Sequence, residues 1–275
     1  MFQNEYLNEY LMESMEEITR LNIKTDCSSV IEQAQWAGVD AGMRIADICC
    51  GVGKTTKTLY ELAQPAGLAV GIDASETRTQ YAEQKYKDSG IDFFCMDVRQ
   101  DLGDLGTFDF VWVRFVLEYF RSTCFDIVRN ISEIVKPGGI LCLIDLDYNC
   151  LSHYGIPRRL EKTAFSLMKN LETHIDFDPF AGRKLYSHIY RLGYEDIDIK
   201  IAAHHLIFGE LNQKDAYNWE KKIEAAANKT GFRFDDYENG YEGFIKEFRC
   251  FFSDPRRFTY TPLIMCRGVK PGGRR

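Results

Sequence analysis

The sequence predicts an α/β fold built on a doubly wound, parallel sheet. Three observations predict it. Short apolar runs recur at 43–49, 68–73, 91–96, 108–114 and 139–146. Helix-like segments at 54–63, 76–88 and 122–135 separate them, and alternating βα units of this size cover a parallel sheet on both faces. The central runs, "FDFVWV" (108–113) and "ILCLID" (140–145), are almost continuously apolar, as doubly buried strands should be.

The elements follow in order. Leu7, Leu11, Met15, Ile18 and Leu21 form one face of a helix within 4–21, and a second helix spans 27–37. The helix 122–135 stops at Lys136-Pro137-Gly138-Gly139, a terminator and turn. Leu160, Ala164, Met168 and Leu171 mark a further helix. Leu185, Ile189 and Leu192 mark another, ended by Gly193. "YEDIDIKI" (194–201) alternates as a strand, and "RFTYTPLIM" (257–265) reads as a final strand whose Pro262 suggests an edge or a bulge. Between those strands lies a long insertion with Trp219, Ile223 and Ala227 on one helical face and Phe244, Phe248 and Phe251 on another. Extra core packing is the ordinary reading of that stripe; a substrate lid is the functional one. The expected division is a helical cap (1–37), a cofactor-binding core (38–205 with 257–270) and a lid or substrate insertion (206–256).

Bulk properties narrow the function. The chain has 275 residues, 45% hydrophobic and 27% charged, with a net charge of −7. Acidity argues against a reader of nucleic-acid backbone. No apolar run is long enough to span a bilayer, and acids stand where a signal peptide needs a positive start, so a cytoplasmic protein without a membrane partner is expected. The nine cysteines are scattered without a C-x-x-C pair, which favours reduced thiols and no metal site.

The turn "RIADICCGVGKTT" (44–56) admits three ligands. Gly53-Lys54-Thr55 ends like a phosphate loop, but the opening glycine position is Ile48, beside Asp47. Gly51 and Gly53, with Asp73 downstream, resemble a dinucleotide fingerprint, but its third position is Thr56. The third reading uses the aspartate. Asp47 would hold an ammonium, Asp73 both ribose hydroxyls and Asp97 an adenine amino group, from the carboxyl ends of successive strands. Each acid alone also reads as a helix N-cap. All three together fit S-adenosylmethionine.

At these residues the sequence resembles the class I S-adenosylmethionine-dependent methyltransferases. "MRIADICCGVG" (43–53) is similar to the family's first motif, in the Cys-Cys-Gly form of quinone-biosynthesis C-methyltransferases. "VGIDAS" (70–75) resembles the second motif and "CMDV" (95–98) the third, and "FDFVWVRFVLEY" (108–119) and "IVKPGGILCLID" (134–145) resemble the fourth- and fifth-strand segments. The resemblance implies a mostly parallel seven-stranded sheet with an antiparallel last strand. It implies that Asp47, Gly51 and the backbone around Cys49 and Gly53 hold the methionine end. Asp73 and Ala74 would hold the ribose and adenine, Asp97 and the Val98 amide would read the adenine edge, and Arg114 would lie beside the methyl donor.

The acceptor-facing candidates follow the fourth and fifth strands: Arg114, Glu118, Tyr119, Asp145, Asp147, Tyr148 and Asn149. "DLDYN" (145–149) would face a cation, with Tyr148 as a cation–π surface, or would serve as helix caps. His153 is the first candidate base, ahead of His204 and His205; His174 and His188 read as packing or surface residues. Tyr6 and Tyr10 are further candidates for the cleft. The expected activity is methyl transfer to a small-molecule acceptor at oxygen, nitrogen or carbon, with a homodimer left open as the assembly. A non-catalytic cofactor-binding sensor or assembly protein, and an NAD(P)-dependent oxidoreductase, are the alternatives.

Overall fold

The computed structural model describes residues 15–272. Leu7, Leu11, Tyr6 and Tyr10 lie outside the described residues. Two helices lead in, α1 (Met15–Lys24) and α2 (Cys27–Ala37). Asp26 caps α2 through the amides of Ser28 and Ser29, and Gly38 closes it in the left-handed conformation. The βα rhythm follows: β1 (Arg44–Ile48), α3 (Lys54–Leu62), β2 (Leu68–Asp73), α4 (Glu76–Tyr86), β3 (Asp92–Cys95), β4 (Phe108–Arg114), α5 (Cys124–Glu133) and β5 (Val135–Leu146). The second half holds β6 (His153–Tyr154), α6 (Arg158–His174), α7 (Leu185–Arg191), β7 (Glu195–Phe208), α8 (Gln213–Thr230), α9 (Tyr241–Ser253) and β8 (Phe258–Val269).

The sheet runs β3-β2-β1-β4-β5-β8, with β7 on the far side of β8. The pairs from β3 to β5 are parallel, and β8 is antiparallel to both β5 and β7. The reversed last strand agrees with expectation. The strand count does not: the sheet has eight strands among the described residues, because the two-residue β6 pairs with the start of β8. β1 lies between β2 and β4, so the chain turns to opposite sides after it. Open α/β sheets bind ligands outside the strand ends at such a switch point.

Two local readings need correction. Pro137-Gly138-Gly139 lies inside β5, where it forms an irregularity: Gly138 adopts φ 79°, its amide donates to Lys270 O, and the register slips between Phe108 and Phe110. Pro262 is not on an edge, since β8 is paired on both sides. Its partner is Ala203, next to a register shift in β7, and its carbonyl accepts from the Asp147 amide. A bulge in the neighbouring strand is what tolerates the missing donor.

Buried side chains form a core on each face of the sheet. Ile48, Ile72, Val111 and Leu143 pack with α5 and α7; Ile45, Phe110, Trp112 and Ile144 pack with α2 and α3. A separate cluster joins the aromatic stripes to α6: Leu160, Trp219, Phe244, Phe248, Phe251 and Phe252 are all buried together. The stripes are therefore packing residues. No described helix is long and apolar enough to cross a membrane.

Gly53 shows how tightly the first turn is built. It caps α3 at φ 74°, and a Cβ there would meet Phe93 at 2.8 Å and Ala82 at 2.9 Å. Left-handed strain and overpacking then act together, so Gly53→Val should lower stability by about 2–4 kcal/mol. Thermal unfolding followed by circular dichroism checks this; an unchanged melting temperature would contradict it.

Candidate functional site

A cavity of about 520 Å³ opens at the carboxyl ends of β1 to β4. Segments from across the chain shape it. The β1–α3 turn supplies Cys49, Gly51 and Thr55; the β2–α4 turn supplies Asp73, Ala74 and Arg78. The end of β3 supplies Asp97, Val98 and Arg99, and the stretch after β4 supplies Arg114, Phe115, Glu118 and Tyr119. The last turn of α1 adds Arg20 and Lys24, while His204 of β7 and Lys229 of α8 reach the rim.

The first turn needs three left-handed residues in five: Cys49 (φ 56°), Gly51 (φ 57°) and Gly53 (φ 74°). Two are glycine, which takes that conformation without strain; Cys49 bears it with a side chain. Burial first, then the neighbouring acids, pushes the Cys49 and Cys50 thiols up, so both are neutral wall groups. Phe115, just past β4, is another bulky residue at positive φ (61°) beside the cavity. Such outliers gather at ligand sites.

Lys54 explains why this is not a phosphate loop. Its ammonium donates to Asn22 O at 2.9 Å and Thr25 O at 2.7 Å, at the carboxyl end of α1. That helix end carries partial negative charge, and it holds the lysine that a phosphate would need.

The acids are placed as follows. Asp73 Oδ1 accepts from Ser75 N, Arg78 Nε and Arg78 Nη2, and Oδ2 accepts from Gly51 N at 2.8 Å. Oδ1 is thus saturated, and Oδ2 keeps room for one more donor. Asp97 is clasped by Arg99 through Nε at 2.9 Å; burial works against its ionised form, but the Arg99 bonds outweigh it and keep its pKa low. Asp47 is buried and off the cavity wall, with Thr56 Oγ1 donating to Oδ2 at 2.7 Å. Burial raises its carboxyl to about 7, opposed by the Thr56 bond and by Arg114. Gly53 is also off the wall. None of the three acids is itself a helix cap: Gly53 and Ser75 hold those positions on α3 and α4.

Arg114 extends along the cavity. Its Nε donates to Gln33 Oε1 at 3.1 Å, and its guanidinium lies 4.1 Å from the centre of the Phe115 ring. Burial lowers its pKa to about 10, against the pull of Asp47 and Asp145.

The "DLDYN" run faces elsewhere. Asp145 is fully buried and accepts from the amides of Leu117, Glu118 and Leu146, fixing the turn that carries Glu118. Burial, with Glu118 nearby, holds its pKa well above the carboxylate range. Asp147 makes a two-point pair with Arg183 at 2.8 and 2.9 Å. Tyr148 does present its ring to a cation, but the cation is Arg183, 4.8 Å from the ring centre. His153 is likewise turned inward. Its Nδ1 meets Thr259 Oγ1 at 2.8 Å, its Nε2 meets Cys150 O at 3.1 Å, and Trp219 and Phe251 flank it. Burial pushes its pKa down to about 4. None of Asp147, Tyr148 and His153 lines the cavity. His204 does; its buried Nε2 has no partner among the described residues.

Sequence reasoning missed Arg20, Lys24, Phe115, Arg78 and Lys229. One signal was available: Arg20 and Lys24 are four apart, so they share the helix face beside Leu21.

Among known proteins, the family described as a methyltransferase domain matches residues 45–139. A demethylmenaquinone methyltransferase of Lactococcus lactis is 30% identical over 148 residues, covering 52% of this chain and 52% of that one. An uncharacterized methyltransferase of Synechocystis is 32% identical over 111 residues, 39% of this chain and 49% of that one. The chain thus spans about half the length of the curated relatives it matches. A Bacillus halodurans protein described as a putative methyltransferase shares the fold at TM-score 0.55 and 15% identity, covering 89% of this chain and 99% of that one. Residues 45–139, which match the methyltransferase-domain family, span β1 to the start of β5 and carry the cavity's central turns.

Proposed function

We propose that the protein transfers a methyl group from S-adenosylmethionine to a small-molecule acceptor by in-line displacement at this cavity. The observation that carries the reading is the β2 tip: Asp73 Oδ2, fixed by Gly51 N and flanked by the exposed Ala74, keeps one acceptor position at the mouth of a strained, glycine-bearing turn. That arrangement fits one ribose hydroxyl of a nucleoside lying on Ala74, rather than both. Val98 and Asp97 stand at the adenine side, where the Arg99 clasp competes for Asp97. Arg114 and Asp47 stand at the methionine side, with Arg114 placed for the carboxylate and Asp47 acting through its charge. The Cys49–Gly53 backbone shapes the floor.

The cofactor supplies an electrophilic methyl group. The chain's part is to hold the acceptor in line and exclude water, which is worth about 7–11 kcal/mol in favourable systems. His204 is the cavity's candidate for accepting a proton, since burial and His205 keep it neutral and its Nε2 is unpartnered among the described residues. α8 and α9, packed on α6, would cover the acceptor end. A cytoplasmic location and a lid role for 206–256 belong to this proposal.

Thermal shift with S-adenosylhomocysteine and with NADH tests it. Saturation at about 100 times Kd should stabilise the protein by about 2.7 kcal/mol, with the homocysteine ligand alone. A shift with NADH alone would support the oxidoreductase alternative instead. Binding without transfer to any acceptor in a panel of quinones, phenols and carboxylic acids would favour a cofactor-binding sensor.

A further inference from the structure

Helices ordinarily cover both faces of a doubly wound sheet. At the β7–β8 end one face is left open. Residues directly opposed in an antiparallel ladder point to the same side, so the register assigns the faces. Ile201 opposes Ile264, Leu206 opposes Tyr260, and Phe208 opposes Phe258, which also opposes Tyr154 of β6. The register shifts between Ala203 and His205. A one-residue slip would turn every later side chain over; the bulge instead keeps Ile199 and Ile201 on the same side as Leu206 and Phe208.

The other side of these strands is packed. Ile207 lies in the cluster with Trp219 and Phe248, and Ala202 lies against the core under α2. On the open side, the far end of β8 is covered, since a side chain at Gly268 would strike Ile189 and Tyr194. Towards Phe258 the cover ends. Ile199, Ile201, Leu206 and Phe208 are 45–68% exposed, and Phe258, Tyr260 and Tyr154 beside them are 40–74% exposed.

Large side chains of this kind present about 200 Å² each when bare, so at these fractions the face offers about 750 Å². The largest apolar patch on an ordinary monomer is about 300–600 Å², whereas each partner in a standard interface gives about 800 Å². None of the residues named on this face is charged. Charge depletion marks interface cores, and homodimer interfaces are the more apolar kind. A membrane-binding face would carry lysine or arginine among its apolar residues, and the chain's net charge is −7.

We propose that this face packs against the same face of a second copy of the chain, in a two-fold dimer. A two-fold axis sets one patch against itself, so area and apolar character match on both sides. The aromatic row of Phe208, Phe258 and Tyr154 supplies its anchors. β7 also carries His204 to the cavity, so the dimer clamps a strand that walls the site.

Sedimentation equilibrium of the full chain, from about 1 to 100 μM, tests this. The mass of two chains is expected. Phe208→Asp sets a charge within the face and should weaken association about 30-fold or more, as loss of an interface anchor does. Tyr154→Glu should act in the same direction; at 74% exposed on the two-residue β6, it serves if circular dichroism shows Phe208→Asp unfolded. Ile31→Asp, on α2 at the opposite side of the sheet, should leave association unchanged. A single-chain mass at the highest concentration overturns the proposal. So does a dimer that neither face variant weakens, or one that Ile31→Asp dissolves. Co-sedimentation with vesicles of phosphatidylcholine and phosphatidylglycerol is the last arm. Vesicle binding by a single-chain species, abolished in Phe208→Asp, assigns the face to a lipid surface and likewise overturns the proposal.

Discussion

Replacing Asp73 with Ala should cost both stability and cofactor affinity. Asp73 is 4% exposed and takes four donors: two amides and two nitrogens of the buried Arg78. Breaking a buried pair from one side typically costs about 3–5 kcal/mol, because the surviving charge loses its partner. The Gly51 amide loses its acceptor in the same change, so the turn that floors the cavity loosens. Asp73→Asn separates the two effects. The amide keeps an oxygen for Gly51 N and removes the charge. We expect S-adenosylhomocysteine to bind Asp73→Asn roughly 10- to 100-fold more weakly, matching one lost charged hydrogen bond of about 1.5–3 kcal/mol. Calorimetry on the folded variant reads this directly. An Asp73→Asn variant that binds as tightly as wild type would remove Asp73 from the cofactor site and leave it as the anchor of Arg78.

The contrast between fold and site follows from range. Strand and helix positions through β5 depend on local apolar rhythm and punctuation, and the chain shows both. The run 108–114 is β4 as expected, and 27–37 is α2. The tips of β1, β2 and β3 place Asp47, Asp73 and Asp97 on neighbouring strands for the same reason. What each carboxylate touches depends on side chains from other segments. Arg78 and Arg99 are close in sequence, yet nothing in their spacing says that they fold back on Asp73 and Asp97. Asp147 finds Arg183 and His153 finds Thr259, across 36 and 106 positions. No local pattern signals such pairings.

Asp47→Asn should stabilise the protein while weakening its cofactor site. Burial raises the Asp47 carboxyl from 3.8 to about 7. Below 3.8 both folded and unfolded chains hold the proton, and the group makes no difference. Between 3.8 and about 7 the unfolded chain releases it and the folded chain keeps it, so stability falls as pH rises and levels off above 7. At 1.36 kcal/mol per pH unit, the ionised carboxylate costs about 4 kcal/mol at pH 8. Asparagine fills the same space, still accepts from Thr56 Oγ1, and never ionises. Asp47→Asn should therefore match wild type near pH 4 and exceed it by up to about 4 kcal/mol at pH 8, read by urea unfolding at both pH values. The wild-type site recovers that cost only when a cation arrives. Its affinity for S-adenosylhomocysteine should thus climb as pH rises towards 7, by at most about tenfold per unit, while the Asn variant's stays flat and lower. If Asp47→Asn gains nothing at pH 8, Asp47 is already ionised against Arg114, and its charge would then position that arginine rather than wait for the ligand.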